Sequence, residues 1–199
     1  EIVHKVDGVR INGLSFPSNR ESGGVLGLTK SAEVYRAEVN GVNLADAHDS
    51  GGVIGMVKNP GFISMSDVAV YAPAFTNPGG NVGLIVGRVE SSNTYVISNA
   101  IGVAAPDVAL TAYPFTYDGV MQHGNPTILA LSDAVGHAAS GPDPLQQGVT
   151  NQPLANLKMI NTFASSFSIQ PLGALSGAIW EIDEGNDYPR LRDVRAPQA

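Results

Sequence analysis

Short stretches in which hydrophobic and polar residues alternate recur along the chain, and turn-forming residues separate them. Residues 33–39 (E-V-Y-R-A-E-V) are typical, because alternation places Tyr35, Ala37 and Val39 together on an apolar face. The dipeptide N-G that follows is a strong turn signal. A period of two predicts β-strands rather than helices.

These segments repeat at a nearly fixed spacing. Residues 22–27 (S-G-G-V-L-G) return 28 positions later as residues 50–55 (S-G-G-V-I-G), and a third copy, residues 83–87 (G-L-I-V-G), follows at an offset of 32. Lys30 likewise returns as Lys58. A repeat of this length predicts a solenoid, since one coil of two or three short strands buries its apolar face only when the next coil stacks on it.

Stacked coils predict files of equivalent residues, with neighbours about 4.8 Å apart. One aliphatic file is expected to contain Val25, Val53 and Ile85. A polar file is expected at one corner, and its members are Asn12, Asn40, Asp67 and Asn99. Asparagine and aspartate tolerate left-handed backbone, so these residues are interpreted as corner builders and not as a binding site.

Composition agrees with an all-β protein of one domain. The chain has 199 residues, of which 43% are hydrophobic and 15% charged, with 23 glycines and 13 prolines, so turns are frequent and long surface helices are not expected. We expect a single solenoid domain over residues 1–199. It divides into repeat coils (1–104), an irregular insertion (105–153), and a final coil with a C-terminal cap (154–199).

The repeats also resemble a known family. Residues 23–27 and 51–55, together with the closing segments 177–185 (G-A-I-W-E-I-D-E-G) and 188–191 (Y-P-R-L), are similar to the GLUG motif repeats of bacterial surface proteins, adhesins and the N-terminal regions of some secreted proteases. The resemblance implies a parallel β-helix-like solenoid at the cell surface or outside the cell, without catalytic residues. The first residues, E-I-V-H-K, are not a signal peptide, so the segment is expected to be a mature part of a longer secreted chain. In such a solenoid Trp180 is expected to cover the open end of the core.

The insertion departs from the repeat pattern and is the predicted binding surface, because solenoids often bind through insertions on one face. Tyr113, Phe115 and Tyr117 alternate, so an extended backbone points their rings in one direction, where they could stack on sugars or on a partner's apolar surface. Burial of the three rings against the solenoid is the competing interpretation. Residues 127–139 have apolar residues at spacings of three and four, which predicts a short amphipathic helix.

Charge and cysteine content exclude several functions. The net charge is −7 and the chain has only four lysines, so it lacks the basic stripe that binds nucleic acid. No apolar run is long enough for a membrane-spanning helix. Cysteine is absent, which excludes disulfides, a thiolate nucleophile and cysteine-bound metal.

Motifs for catalysis and for cofactors are absent as well. The chain has no G-x-S-x-G, H-E-x-x-H or phosphate-binding loop, and the closeness of Ser132, Asp133 and His137 in sequence is no evidence for a triad. Calcium is the one cofactor with candidate ligands, in the two pairs Asp46 with Asp49 and Asp183 with Asp187. Each pair supplies only part of the six to eight oxygens that calcium needs, so solvated turn residues are the favoured interpretation.

The sequence therefore predicts a non-catalytic adhesion or ligand-binding module that presents its insertion to a glycan or to a cell-surface protein. One alternative is a polysaccharide-active enzyme with a groove on a solenoid face. The outward positions supply one carboxylate and one arginine, a poor catalytic set; these positions are Arg36, Glu38, Ser64, Ser66, Val96 and Ser98. The other alternative is a spacer repeat without a ligand.

Overall fold

The computed structural model describes residues 2–16, 21–43, 49–72, 82–89, 94–104, 116–118, 128–132, 134–137, 149–175 and 177–194. They form mostly β-strands with few helical turns, which confirms the all-β class. The strands are β1 (His4–Asn12), β2 (Leu26–Asn40), β3 (Ser50–Gly51), β4 (Ile54–Ala72), β5 (Val82–Gly83), β6 (Val86–Val89), β7 (Thr94–Ala104), β8 (Thr116–Asp118), β9 (Ile128–Ser132), β10 (Ala134–His137), β11 (Val149–Asn151), β12 (Ile169–Pro171), β13 (Trp180–Ile182) and β14 (Arg190–Leu191). Three short 3₁₀ helices span Asn156–Lys158, Ile160–Thr162 and Ser165–Phe167.

One large, curled parallel sheet dominates the described part of the chain. Its main path runs β1-β2-β4-β7-β10-β11, with β6 beside β4, β8 beside β6 and β9 beside β7. Strands β12, β13 and β14 make a second small sheet, and β3 pairs with β5. Most neighbours in the large sheet are therefore strands that come from successive sequence repeats.

The pairing follows the sequence repeat closely. His4 pairs with Ala32 and Leu26 pairs with Ile54, at the same spacing that relates the first two glycine motifs. The amide of Val25 donates to the carbonyl of Val53 at 3.0 Å, and the amide of Val53 donates to that of Ile85 at 3.0 Å. The predicted file of Val25, Val53 and Ile85 is thus confirmed.

An irregularity in β2 and β4 accounts for three of the four residues by which the repeat lengthens. Thr29 pairs with Val57, but the next paired residue of β2, Ser31, lies opposite Phe62. Three additional residues are accommodated in β4 at this point. Beyond it, β4 and β7 pair in an unbroken register that begins with Phe62 and Thr94.

The corner residues differ from the predicted polar file. Asn40 pairs with Tyr71, so the file of Asn12 and Asn40 does not continue to Asp67. Asp67 and Asn99 belong to a different corner, in which every residue has a positive φ. This corner contains Gly8 (74°), Arg36 (52°), Asp67 (55°) and Asn99 (50°).

The left-handed corner at Arg36 also changes which side chains face inward. Val34 and Ala37 are both fully buried on the inner face, whereas Tyr35 is 36% exposed. The prediction that Tyr35 shares the apolar face of Ala37 and Val39 was therefore wrong. Simple alternation fails here because the turn at Arg36 interrupts the extended backbone.

Two hydrophobic clusters lie on opposite sides of the same strands. The inner cluster fills the curl of the sheet and includes Val68 and Val70 of β4. The outer cluster joins Ala69 and Tyr71 of β4 to the C-terminal segment, residues 152–194. Residues 68–71 of β4 are therefore buried on both faces.

Trp180 belongs to the outer cluster. It is fully buried beside Ala69 and Ile101, and its indole N–H donates to the Asp67 carboxylate at 3.0 Å. The expectation that Trp180 covers the open end of the core was wrong, because its neighbours lie in the middle of the sheet. The C-terminal segment covers a face of the sheet.

The prediction of a helix over residues 127–139 was also wrong. Strands β9 and β10 occupy this part of the chain, and both pair with β7. The apolar residues here are spaced three and four apart although they belong to two short strands. A segment of this length is too short to distinguish the helical period of 3.6 residues from the strand period of two. In the parts of the chain described, no helix has the length and hydrophobicity needed to cross a membrane.

We predict that Gly52→Ala strongly destabilises the protein. A Cβ atom at Gly52 would lie 2.3 Å from the Leu84 carbonyl oxygen and 2.6 Å from a Val70 methyl, so neighbouring strands must move apart. The free energy of unfolding should fall by about 3 kcal/mol, measured by chemical denaturation. Gly177→Ala is the control, because nothing lies within 4 Å of its Cβ position; equal stabilities of the two variants would contradict this packing.

We also predict a loss of stability in alkali that depends on Tyr71. Burial first, and then the nearby Glu38 charge, raise the pKa of Tyr71 well above its usual value of 10.0. Since the folded state holds this proton more tightly than the unfolded chain, the stabilisation is complete below pH 10 and declines as the pH rises further. Denaturation at pH 7, 10 and 11, followed by the fluorescence of Trp180, the only tryptophan, should show this decline. The variant Tyr71→Phe should be less stable at pH 7, but its free energy of unfolding should fall less steeply with rising pH. An equally steep fall would show that the loss of stability in alkali does not come from Tyr71.

Candidate functional site

One part of the sheet's outer side is not covered by the C-terminal segment. On β2, β4 and β7 the inward residues Val34, Ile63, Met65 and Ile97 are buried, so the residues between them point outward. We call these outward residues the exposed face: Tyr35, Phe62, Ser64, Ser66, Val96 and Ser98. The prediction that Ser64, Ser66, Val96 and Ser98 point outward is confirmed.

The exposed face combines large apolar side chains with small hydroxyls. Tyr35 is 36% exposed, and Phe62 and Val96 are each 40% exposed. Ser66 and Ser98 lie in one row with Tyr35, and Ser64 pairs with Val96 in the next row. From strand spacing and rise, the backbones of Tyr35 and Phe62 are about 14 Å apart. Ser64 of β4 and its partner Glu33 of β2 lie between the two rings.

Such a surface can bind a ligand through stacking and hydrogen bonds together. Aromatic faces carry partial negative charge and attract the polarised C–H groups of a ring lying over them. Serine hydroxyls donate and accept hydrogen bonds, and Ser66 already donates to Asp67 at 3.1 Å, which leaves its oxygen able to accept. Glu33, which lies in the row of Ser64, binds Lys5 at 2.9 Å.

Glu38 lies on the outer side of the sheet, as predicted, but the C-terminal segment covers it. It is 1% exposed, and its carboxylate accepts two hydrogen bonds from Arg10 at 3.1 Å each. The backbone amide of Leu191 also donates to it at 2.8 Å, and Arg190 lies 3.6 Å away. Glu38 therefore joins β1 and β2 to the C-terminal segment.

The carboxylates near the exposed face are committed to ion pairs. Glu38 is saturated by Arg10, Asn40 and Leu191, so it has no free oxygen for acid or base catalysis. Asp7 binds Arg36 at 2.6 Å, and this hydrogen bond lowers the pKa of the Asp7 carboxyl below its usual value. An ionised Asp7 does not serve as a general acid.

The residues predicted to bind a ligand in the insertion are only partly within the described chain. Tyr113 and Phe115 lie outside the described residues, as does Asp133. The backbone of Tyr117 lies in β8, where it pairs with Arg88 of β6. Ligand binding by the rings of Tyr113, Phe115 and Tyr117 stays a prediction.

The predicted calcium ligands have protein partners where the structure describes them. Asp49 binds Arg88 at 3.3 Å, whereas Asp46 lies outside the described residues. Asp187 binds Arg190 at 3.2 Å and Asp183 accepts a hydrogen bond from Asn186 at 3.0 Å. The described part of the chain holds no group of three or more histidine, aspartate or glutamate residues that could bind a metal ion.

Comparison of the chain with protein-family models, with curated proteins and with solved structures gives no match.

We predict that Glu38→Gln loosens the C-terminal segment. The substitution keeps the side-chain shape but leaves Arg10 without a carboxylate and removes one of the two carboxylates beside Arg190, which should lower the free energy of unfolding by about 3 kcal/mol. Trp180 fluorescence should shift to longer wavelength at lower denaturant than in the parent protein. Glu33→Gln is the matched control, because the pair of Glu33 with Lys5 is largely exposed and should contribute less than about 1 kcal/mol. Equal effects of the two substitutions would refute the anchoring role of Glu38.

Proposed function

We propose that this protein is a non-catalytic binding module of a bacterial cell surface or of the extracellular space, with a parallel β-helix-like solenoid architecture. Support for the architecture comes from the parallel pairing of strands that belong to successive sequence repeats. The resemblance to GLUG repeats, read from the glycine motifs and the closing segment, supports the location and the adhesive role.

The exposed face is the observation that carries the binding function. Large apolar side chains on a well-packed strand are normally covered, and Ala69 and Tyr71 of β4 are covered in this way. The same strand leaves Phe62 exposed, beside Ser64 and Ser66, with Tyr35 on the neighbouring strand. Uncovered aromatic residues of this kind are favoured where they contact a partner.

A glycan fits this surface better than an apolar protein partner. The area between the two rings is lined by Ser64 and Glu33, which offer hydrogen bonds and little hydrophobic contact. Sugars present hydroxyls and ring C–H groups together, so they match a surface of alternating serines and aromatic rings. Tyr113, Phe115 and Tyr117 of the insertion are proposed to extend the same type of contact.

A glycan array tests the proposal. The parent protein should retain at least one glycan, and affinity for that glycan should fall about tenfold or more in the double variant Tyr35→Ala/Phe62→Ala. Leu172→Ala is the control, because Leu172 is 59% exposed on the C-terminal segment and lies outside the exposed face. A second variant replaces Tyr113, Phe115 and Tyr117 by alanine. Its loss of affinity for the glycan measures how much the insertion contributes to binding.

Incubation with each retained glycan decides between binding and catalysis. Recovery of the intact glycan agrees with the proposal, whereas cleavage products would identify an enzyme. Absence of binding to any glycan would favour a spacer without a ligand.

A further inference from the structure

A groove of about 450 Å³ lies near the start of β1. Its walls come from β1, β2 and β4 and the residues just before β1: Ile2, His4, Leu28, Thr29, Lys30 and Lys58. We call it the lysine groove. Leu28 and Ile2 are 45% and 80% exposed, so part of its wall is apolar and accessible. Its volume lies in the range of sites that bind small molecules or part of a longer ligand.

Lys30 and Lys58 occupy equivalent positions in successive repeats. Thr29 pairs directly with Val57, and each lysine is the next residue of its own strand. The strand register shifts at this point, but a Cβ atom at Gly61 would lie 2.1 Å from the Lys30 carbonyl oxygen and 2.8 Å from that of Lys58, so the two lysine backbones are close together. Like charges on adjacent strands repel and lower stability.

The two lysines differ from the other basic residues that the structure describes. Each of the other lysines and arginines has a partner: Lys5 with Glu33, Arg10 with Glu38, Arg36 with Asp7, Arg88 with Asp49, Arg190 with Asp187, Arg192 with Glu181, and Lys158 with the Asn186 carbonyl. Within the described ranges, Lys30 and Lys58 have no ion pair, and the groove contains no acidic side chain. In a chain of net charge −7, two lysines that line one groove are a local concentration of positive charge that attracts anions.

We propose that the lysine groove binds the carboxylate or sulfate groups of an acidic saccharide. This inference rests on the proposed glycan-binding function and specifies its ligand class. Lysine ammonium groups bind such anions as point charges. The apolar wall formed by Ile2 and Leu28 accommodates the C–H face of the sugar ring that carries the anion.

Contact with the exposed face favours a saccharide chain over an isolated anion. The Gly61 backbone lies directly against Lys30, because a Cβ atom at Gly61 would be 2.1 Å from the Lys30 carbonyl oxygen. Phe62 follows, and its amide donates to the Ser31 hydroxyl at 3.4 Å. Phe62, whose ring belongs to the exposed face, therefore directly follows the residue that lies against the groove wall. One extended ligand can contact both surfaces.

The experiment compares acidic and neutral forms of one saccharide by calorimetry. The probes are an oligogalacturonate, its carboxyl-reduced neutral counterpart, and a heparin-derived sulfated oligosaccharide. The protein should bind at least one acidic probe at least tenfold more tightly than the neutral one, and added salt should reduce this preference. The double variant Lys30→Gln/Lys58→Gln should lose the preference while it keeps the affinity for the neutral probe.

The control variant Lys158→Gln/Arg192→Gln removes the same number of charges from the C-terminal segment, and it should retain the preference. Without ligand, Lys30→Gln/Lys58→Gln should unfold at the same temperature as the parent or at a higher one, because repulsion is relieved. A lower unfolding temperature would show that the lysines are structural and would overturn the proposal.

The outcomes separate this inference from the proposed function. Equal binding of neutral and acidic probes, or an acidic preference that survives in Lys30→Gln/Lys58→Gln, overturns the lysine groove and leaves glycan binding intact. Failure of every glycan on the array overturns both. Binding of polyglutamate as tight as that of the acidic saccharides, and dependent on the same lysines, would assign the groove to acidic peptides and overturn the saccharide assignment.

Discussion

The structure depends on parallel hydrogen bonding between strands that come from successive repeats of the sequence. Each turn of the chain uses the backbone of the previous one as its template, so a residue lies beside its own counterpart in the next repeat. This constraint explains the glycine motifs. At Gly51 and Gly52 the neighbouring backbone is so close that a side chain would overlap a carbonyl oxygen. It also explains why aliphatic residues recur in files, since a mismatch would leave a void or a clash in every adjacent strand.

The sequence predicted what depends on the repeat and failed where local geometry intervenes. The file of Val25, Val53 and Ile85 follows from the offset alone. The exposure of Tyr35 does not, because it requires knowing that Arg36 adopts a left-handed conformation, which residues other than glycine seldom do. The burial of Glu38 was missed although a signal was present: the spacing that relates Lys30 to Lys58 also relates Arg10 to Glu38, and the repeat places these two side by side. For the lysine groove, the sequence indicated only that Lys30 recurs as Lys58.

Two parts of one sheet have opposite surroundings. Residues 67–71 of β4 are covered by residues 152–194, which bring Trp180 against Ala69 and hydrogen-bond to Asp67. Nearer the middle of the strand, Phe62 is exposed and Ser64 and Ser66 are half-buried. The C-terminal segment was misplaced from sequence because a tryptophan can close the end of a sheet or cover its face, and composition does not distinguish the two. The outer side of the sheet is thus covered in one part and accessible to solvent in another.

The contact between Arg10 and Leu191 joins residues that are 181 positions apart, since the guanidinium donates to the Leu191 carbonyl at 2.5 Å. During synthesis, β1 and β2 emerge from the ribosome long before their C-terminal cover exists. The nascent chain must therefore hold Glu38 and the outer side of the sheet in contact with water or a chaperone until residues 152–194 have been synthesised. A chain that stops before these residues leaves a surface open to aggregation.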